Sequence, residues 1–321
     1  MTPAELLLTK TGGTVLALVL LLCLALLLRR LYGQRGPRRD PSREAPARDI
    51  NTAPFLAYAR GFFSGEARGD SLLALKAEHT LRVLEEARAI AASEPAFSAA
   101  LPRRALLLAA LYHDLGRFEQ LRRYRTFVDA RSCNHGLLGA RILSRGVFLA
   151  GEPEEVRRLV LTAVALHNRQ RLPEGLSGPG RLVTQGVRDA DKMDILRIMA
   201  GQLAAGAVAD PAVVMHLADE PQSWSAPLLS ALEEGRTGSF SDMRFYNDFR
   251  LLLCTWLQDL TFAVSLRRLR DAGHLEAILG GLAAAPEAQA RARRAVEAFF
   301  RAAADADRQG KRPCPPSLPD R

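Results

Sequence analysis

The chain has six histidines, and four of them, His79, His113, His135 and His167, form one series that closes on an acidic run, Asp189-Ala190-Asp191-Lys192-Met193-Asp194. The second of the four is followed directly by an aspartate, in Leu111-Tyr112-His113-Asp114-Leu115-Gly116. Neutral imidazoles and carboxylates together are the donor set that suits a transition metal such as Zn, Fe, Ni or Mn. A divalent metal lowers the pKa of a water it holds from ~15.7 to ~7, and it neutralises charge on phosphoryl oxygens. The chemistry on offer is metal-dependent hydrolysis of phosphate esters.

Helical patterning places these residues. Ser71 is a candidate cap for a helix in which Leu72, Leu75, His79, Val83 and Ala87 recur every three or four positions, which sets His79 on the apolar face. Pro102 opens a second helix whose apolar run reaches Tyr112, with His113-Asp114 at its end and Gly116 as its stop. His135 leads a short helix to Leu143, Pro153-Glu154-Glu155 starts one that runs to His167, and 181–199 is helical with Asp189, Asp191 and Asp194 on it. Each residue alone has an ordinary reading: His79 as a hydrogen-bonded core histidine, His135 as a cap, His167 as the polar end of a helix, the acidic run as a solvated face. Taken together they place unpaired polar groups at helix ends and on apolar faces, where each is costly. One shared ligand explains several such costs better than separate accidents do.

The order His79, His113-Asp114, Asp191, with Leu-Tyr-His-Asp-Leu-Gly around the pair, resembles the HD-domain metal-dependent phosphohydrolase superfamily over roughly residues 75–200. The added His135 and His167 are similar to those of members with an enlarged two-metal site. The resemblance implies that His79, His113, Asp114 and Asp191 hold a first divalent metal (Mn, Fe, Ni, Co, Zn or Mg) and that Asp114 bridges to a second held by His135 and His167. It also implies roles in catalysis for Asp114, which orients water, and for Lys192 and Arg117 as phosphate contacts; Arg82 and Arg169-Gln170-Arg171 are further candidates against a background of ordinary surface arginines. No His-His pair or Gly-Tyr-Pro signature follows His167, so a cyclic dinucleotide substrate is disfavoured. The expected substrate is a nucleotide or another small phosphorylated compound. The alternative is a non-catalytic membrane-anchored HD-fold binding or scaffold protein.

Composition sets the frame. With 48% hydrophobic and 25% charged residues the chain is globular, and its Ala, Leu and Arg content with only 6% aromatics favours helix. The net charge of +9 is almost all arginine and part of it clusters after an apolar run; with no interleaved aromatics to stack bases, nucleic acid is an unlikely partner. Four dispersed cysteines argue against a disulfide framework. Thr14 to Leu28 carries no charged side chain, which is short against the ~20 residues of a spanning helix. Arg29, Arg30, Arg35, Arg38 and Arg39 follow it, and they predict a single-pass N-terminal anchor with the catalytic domain cytoplasmic. The expected organisation is all-α: an anchor at 1–31, a linker at 32–64, the HD-type domain at 65–205, a helical C-terminal extension at 206–304 that includes one long helix from Phe245 to Leu269, and a disordered tail at 305–321. A homodimer contact or a lid are both open roles for that extension.

Overall fold

The computed structural model describes residues 50–204 and 217–309. Among them there are twelve α-helices and no strand, with one isolated bridge between Ala218 and Phe245. The site-bearing part comprises α1 (Ala53–Arg60), α2 (Ala67–Ser93), α3 (Ala100–Tyr112), α4 (Leu115–Tyr124), α5 (His135–Arg145), α6 (Glu154–Leu166) and α7 (Gly178–Ala204). Every residue of α3 from Ala105 to Tyr112 is buried. A helix apolar on all sides must be covered on all sides, and α2, α6 and α7 pack around it while α4 and α5 pack on each other.

Several local expectations are corrected. The second of these helices starts at Ala67 rather than Leu72, because the Glu66 carboxylate accepts from the N–H groups of Arg68 and Gly69; the Ser71 hydroxyl instead donates back to Ala67 O. Gly116 does not stop a helix. It lies in the first turn of α4, where a Cβ would run into His135 O and sit 2.7 Å from Gly139 N. Its missing side chain lets α4 and α5 touch backbone to backbone. Within the span expected to be linker, α1 packs on the core through Phe55, whose ring lies 5.8 Å from that of Phe118.

The C-terminal part holds α8 (Ala226–Glu233), α9 (Tyr246–Thr255), α10 (Ala263–Asp271), α11 (His274–Gly280) and α12 (Pro286–Arg308). The single helix expected over 245–269 is broken: α9 runs into a 3-10 turn, Trp256–Asp259, and α10 begins afresh. The break is built by buried carboxylates of the first part. Asp189 accepts from the N–H groups of Thr261 at 3.0 Å and Phe262 at 2.9 Å, and Glu94 accepts from Val264 N at 3.0 Å. These are the free N–H groups of a helix start, where negative charge is favourable. The apolar segment 14–28 and residues 310–321 lie outside the described residues, among which no helix is long and apolar enough to cross a membrane. Residues 305–308 of the expected tail continue α12.

Candidate metal centre

Asp114 stands in the turn between α3 and α4 with φ −99° and ψ 13°, the sparsely populated bridge region. This corner turns its carboxylate inward between α2, α5, α6 and α7. Oδ2 faces His79 Nε2 at 3.8 Å and His113 Nε2 at 3.6 Å, while Oδ1 faces His135 Nε2 at 3.4 Å and His167 Nε2 at 3.9 Å. Asp191 Oδ1 joins the first group, 3.1 Å from His79 Nε2 and 3.8 Å from His113 Nε2. His79, His113 and Asp114 form one buried triad, and Asp114, His135 and His167 a second. The structure therefore brings His79, His113, Asp114, His135, His167 and Asp191 into one cluster with Asp114 at its centre.

The outer nitrogen of each imidazole is engaged. His113 and His167 both cap the C-terminal end of a helix and reach back to the carbonyl three residues earlier, Nδ1 to Ala110 O and to Val164 O, each at 2.8 Å. This satisfies a free carbonyl of the helix end. A carbonyl oxygen only accepts, so Nδ1 carries the proton in both rings and Nε2 presents a bare lone pair. His79 Nδ1 meets Asp194 Oδ2 at 2.7 Å, and His135 Nδ1 meets Asp129 Oδ2 at 2.8 Å, which aims their Nε2 atoms inward too. Asp194 is in turn held by Arg82 Nε at 2.8 Å and Arg197 Nε at 3.0 Å, and Asp129 by Arg117, Gln120 and Asn168. A carboxylate or carbonyl behind each ligating imidazole is the usual way a metal centre fixes ring orientation.

This donor set fits a cation. The Nε2 atoms of His135 and His167 are 3.1 Å apart and those of His79 and His113 3.4 Å. Lone pairs at such distances repel unless a positive charge sits between them. Two donors that share a metal at ~2.1 Å lie ~3.0–3.4 Å apart in octahedral or tetrahedral arrangements, close to the spacings of both triads.

For three of the four histidines the electrostatics agree with metal ligation at neutral pH. Burial holds His113 and His135 below their ordinary pKa, and burial with the neighbouring His135 and His113 lowers His167 to about 3. These rings stay neutral and available as ligands. His79 moves the other way: burial opposes its charge, but hydrogen bonds to Asp191 and Asp194 outweigh it. Burial alone would raise Asp114, yet Lys76, then His113, Arg117 and His135, hold it well below the carboxylate range.

Lys192 and Arg117 are both held by protein partners. Lys192 Nζ is 3.4 Å from Asp259 Oδ2 of the C-terminal part. Arg117 is buried, with Nη1 donating to Phe127 O at 2.7 Å and Gln120 Oε1 at 2.9 Å, and Nε 3.4 Å from Asp114 Oδ1. Arg188 Nη1 donates to His167 O at 3.1 Å and so ties α7 to the end of α6. Sequence reasoning missed Lys76, whose Nζ is 2.7 Å from Asp114 Oδ2, and Asp129; Lys76 stands one turn before His79, a spacing that was available as a signal. Asp191 is the open edge of the cluster: its side chain is 21% exposed, whereas those of the four histidines and Asp114 are at most 5% exposed.

No curated protein and no solved structure matches the chain. The sequence model of the HD domain family matches residues 77–220, the segment that carries all six clustered residues.

Proposed function

We propose that the protein is a metal-dependent phosphohydrolase that acts on a nucleotide or another small phosphorylated compound, carried at the cytoplasmic face of a membrane by its N-terminal apolar segment. The family is one of metal-dependent hydrolases in general. The observation that carries the reading is the double triad of inward Nε2 atoms sharing the two oxygens of Asp114. His79, His113, Asp114 and Asp191 would hold one metal, and Asp114, His135 and His167 a second. The metal supplies Lewis acidity towards phosphoryl oxygens and an acidified water. The chain supplies the rest. Asp114 orients the attacking water, and the exposed edge at Asp191 admits the phosphate. Arg188 and Lys192, at positions −3 and +1 from Asp191 on α7, place positive charge beside that edge.

A second reading, a non-catalytic binding or scaffold protein, is favoured by one observation: Lys192 and Arg117 are both engaged by protein partners, Asp259 and the Phe127–Asp129 loop. The full chain, stripped by chelator and reloaded with Mn, Ni, Co or Mg, is expected to release phosphate from members of a nucleotide panel. Asp114→Ala, which removes a ligand from both triads, is expected to lower turnover by more than ~100-fold. Metal and nucleotide binding without turnover would favour the scaffold, and unchanged turnover in Asp114→Ala would sink the site assignment.

A further inference from the structure

Each oxygen of Asp114 is attended by its own cation. Lys76 Nζ lies 2.7 Å from Oδ2, the oxygen turned to His79 and His113. Arg117 Nε lies 3.4 Å from Oδ1, the oxygen turned to His135 and His167. The Phe127 ring walls both cations, 5.8 Å from Lys76 Nζ and 5.8 Å from Arg117 Cζ. The Lys76 side chain is 1% exposed and projects from the same face of α2 as His79, one turn earlier.

A buried lysine is expensive, since its charge loses water and its long side chain loses rotamer freedom. Beside a metal ligand it also repels the metal, so it does not serve to raise affinity. What it offers is direction. A carboxylate with both oxygens free can rotate about Cβ–Cγ and give both to one ion. A charge-assisted hydrogen bond to Oδ2 engages one lone pair there, leaves another for a metal, and fixes the plane of the group.

We propose that Lys76 is a positioning residue for the shared carboxylate: its ammonium holds Asp114 with Oδ2 towards the His79–His113 triad and Oδ1 towards the His135–His167 triad, and so makes the centre take up metal as a bridged pair. The inference rests on the two-triad reading of the site. Without Lys76 the carboxylate turns and chelates a single ion, and the pair is lost although every ligand remains.

Mn(II) is the probe, because two Mn(II) ions sharing a carboxylate give an exchange-coupled paramagnetic resonance signal that separate ions do not. The wild-type full chain, stripped and reloaded, is expected to bind two Mn(II) with the coupled signal. Lys76→Met keeps the length of the side chain and removes its hydrogen bond. It is expected to keep its helical content and cooperative melting, to bind closer to one Mn(II), and to lose at least ~90% of the coupled signal. Two coupled ions in folded Lys76→Met would overturn the role of Lys76 and leave the metal centre standing; a wild-type chain that takes up one ion would overturn the two-triad reading and with it the role of Lys76, and one that takes up none would overturn the metal centre as well. A second measurement needs no variant. The chain contains four lysines, so ¹⁵N-lysine labelling gives a sparse spectrum in which a slowly exchanging ammonium should shift when Zn(II) is added. An ammonium signal unmoved by Zn(II) overturns the proposal.

Discussion

A histidine that folds into a dry site without its proton leaves a record in the pH dependence of stability. His167 is fully buried and takes its proton only at about pH 3, against an ordinary value of 6.5, because burial opposes the charge and His135 and His113 stand beside it. Between those values the unfolded chain holds the proton and the folded chain does not. Stability from this group is therefore fully present above pH 6.5 and is lost as pH falls through the window, by up to ~1.4 kcal/mol per unit. His113 and His135, also lowered, act in the same direction. His79, raised, acts oppositely, so its contribution is lost as pH rises through its folded value. Four lowered rings, His274 among them, outweigh His79 and the Asp189 carboxyl, which burial raises to about 6, so the metal-free protein should lose stability on acidification from pH 7.5 to 5. Urea midpoints of the chelated protein measure this directly, and His167→Gln should reduce the slope by about one proton. A slope that His167→Gln leaves unchanged would mean that the ring titrates at its ordinary value.

At the scale of elements, the second triad depends on how closely α4 and α5 cross. His135 begins α5 and Asp114 precedes α4, so their separation is set where Gly116 meets the backbone of His135 and Gly139. A methyl group at position 116 collides with backbone atoms, which cannot rotate away, so the helices must part. Gly116→Ala should cost ~1–3 kcal/mol and should lower bound metal from two ions towards one as His135 leaves Oδ1. Gly201→Ala is the contrast: it lies on the exposed side of α7 with nothing within 4 Å of an added Cβ, and should gain ~0.5–1 kcal/mol from helix propensity alone. Equal effects of the two changes would remove the crossing from the account. Gly116 also marks where sequence reading stopped. A glycine after an apolar run is the ordinary sign of a helix end, and the contact that gives it another role is with residues about twenty positions on. The six clustered residues were legible because histidine is rare here and because four of its six copies fall at helix ends or on apolar faces. Lys76 stands at helical spacing from His79, but that spacing names no partner for it until Asp114 is folded against it. The break after α9 was illegible for the same reason, since Asp189 and Glu94, which accept from its free N–H groups, are far away in the chain.

For the whole molecule, the centre joins helices that the chain connects only through loops. Its candidate ligands come from α2, α5 and α7, from the α3–α4 corner and from the end of α6, so an ion bound there cross-links the site-bearing part at its middle. The same α7 that carries Asp191 also carries Asp189 and Lys192, which reach Thr261, Phe262 and Asp259 of the C-terminal part. Stress on the centre is therefore felt by α10 as well as by α2 and α3, and the described residues should melt as one unit. An ion that binds only the folded state adds about RT ln(1 + [L]/Kd), ~2.7 kcal/mol at a hundredfold excess over Kd. At ~2–4 °C per kcal/mol for a domain of about this size, each ion should raise Tm by ~5–10 °C. Calorimetry of the full chain before and after chelator treatment is the measurement, with the metal added back as the control for reversibility. A single transition that falls on stripping and recovers on reloading is expected. Two transitions of which only the lower-numbered half responds to metal would break the mechanical link through α7, and a Tm indifferent to metal would remove the ion from the folded protein altogether.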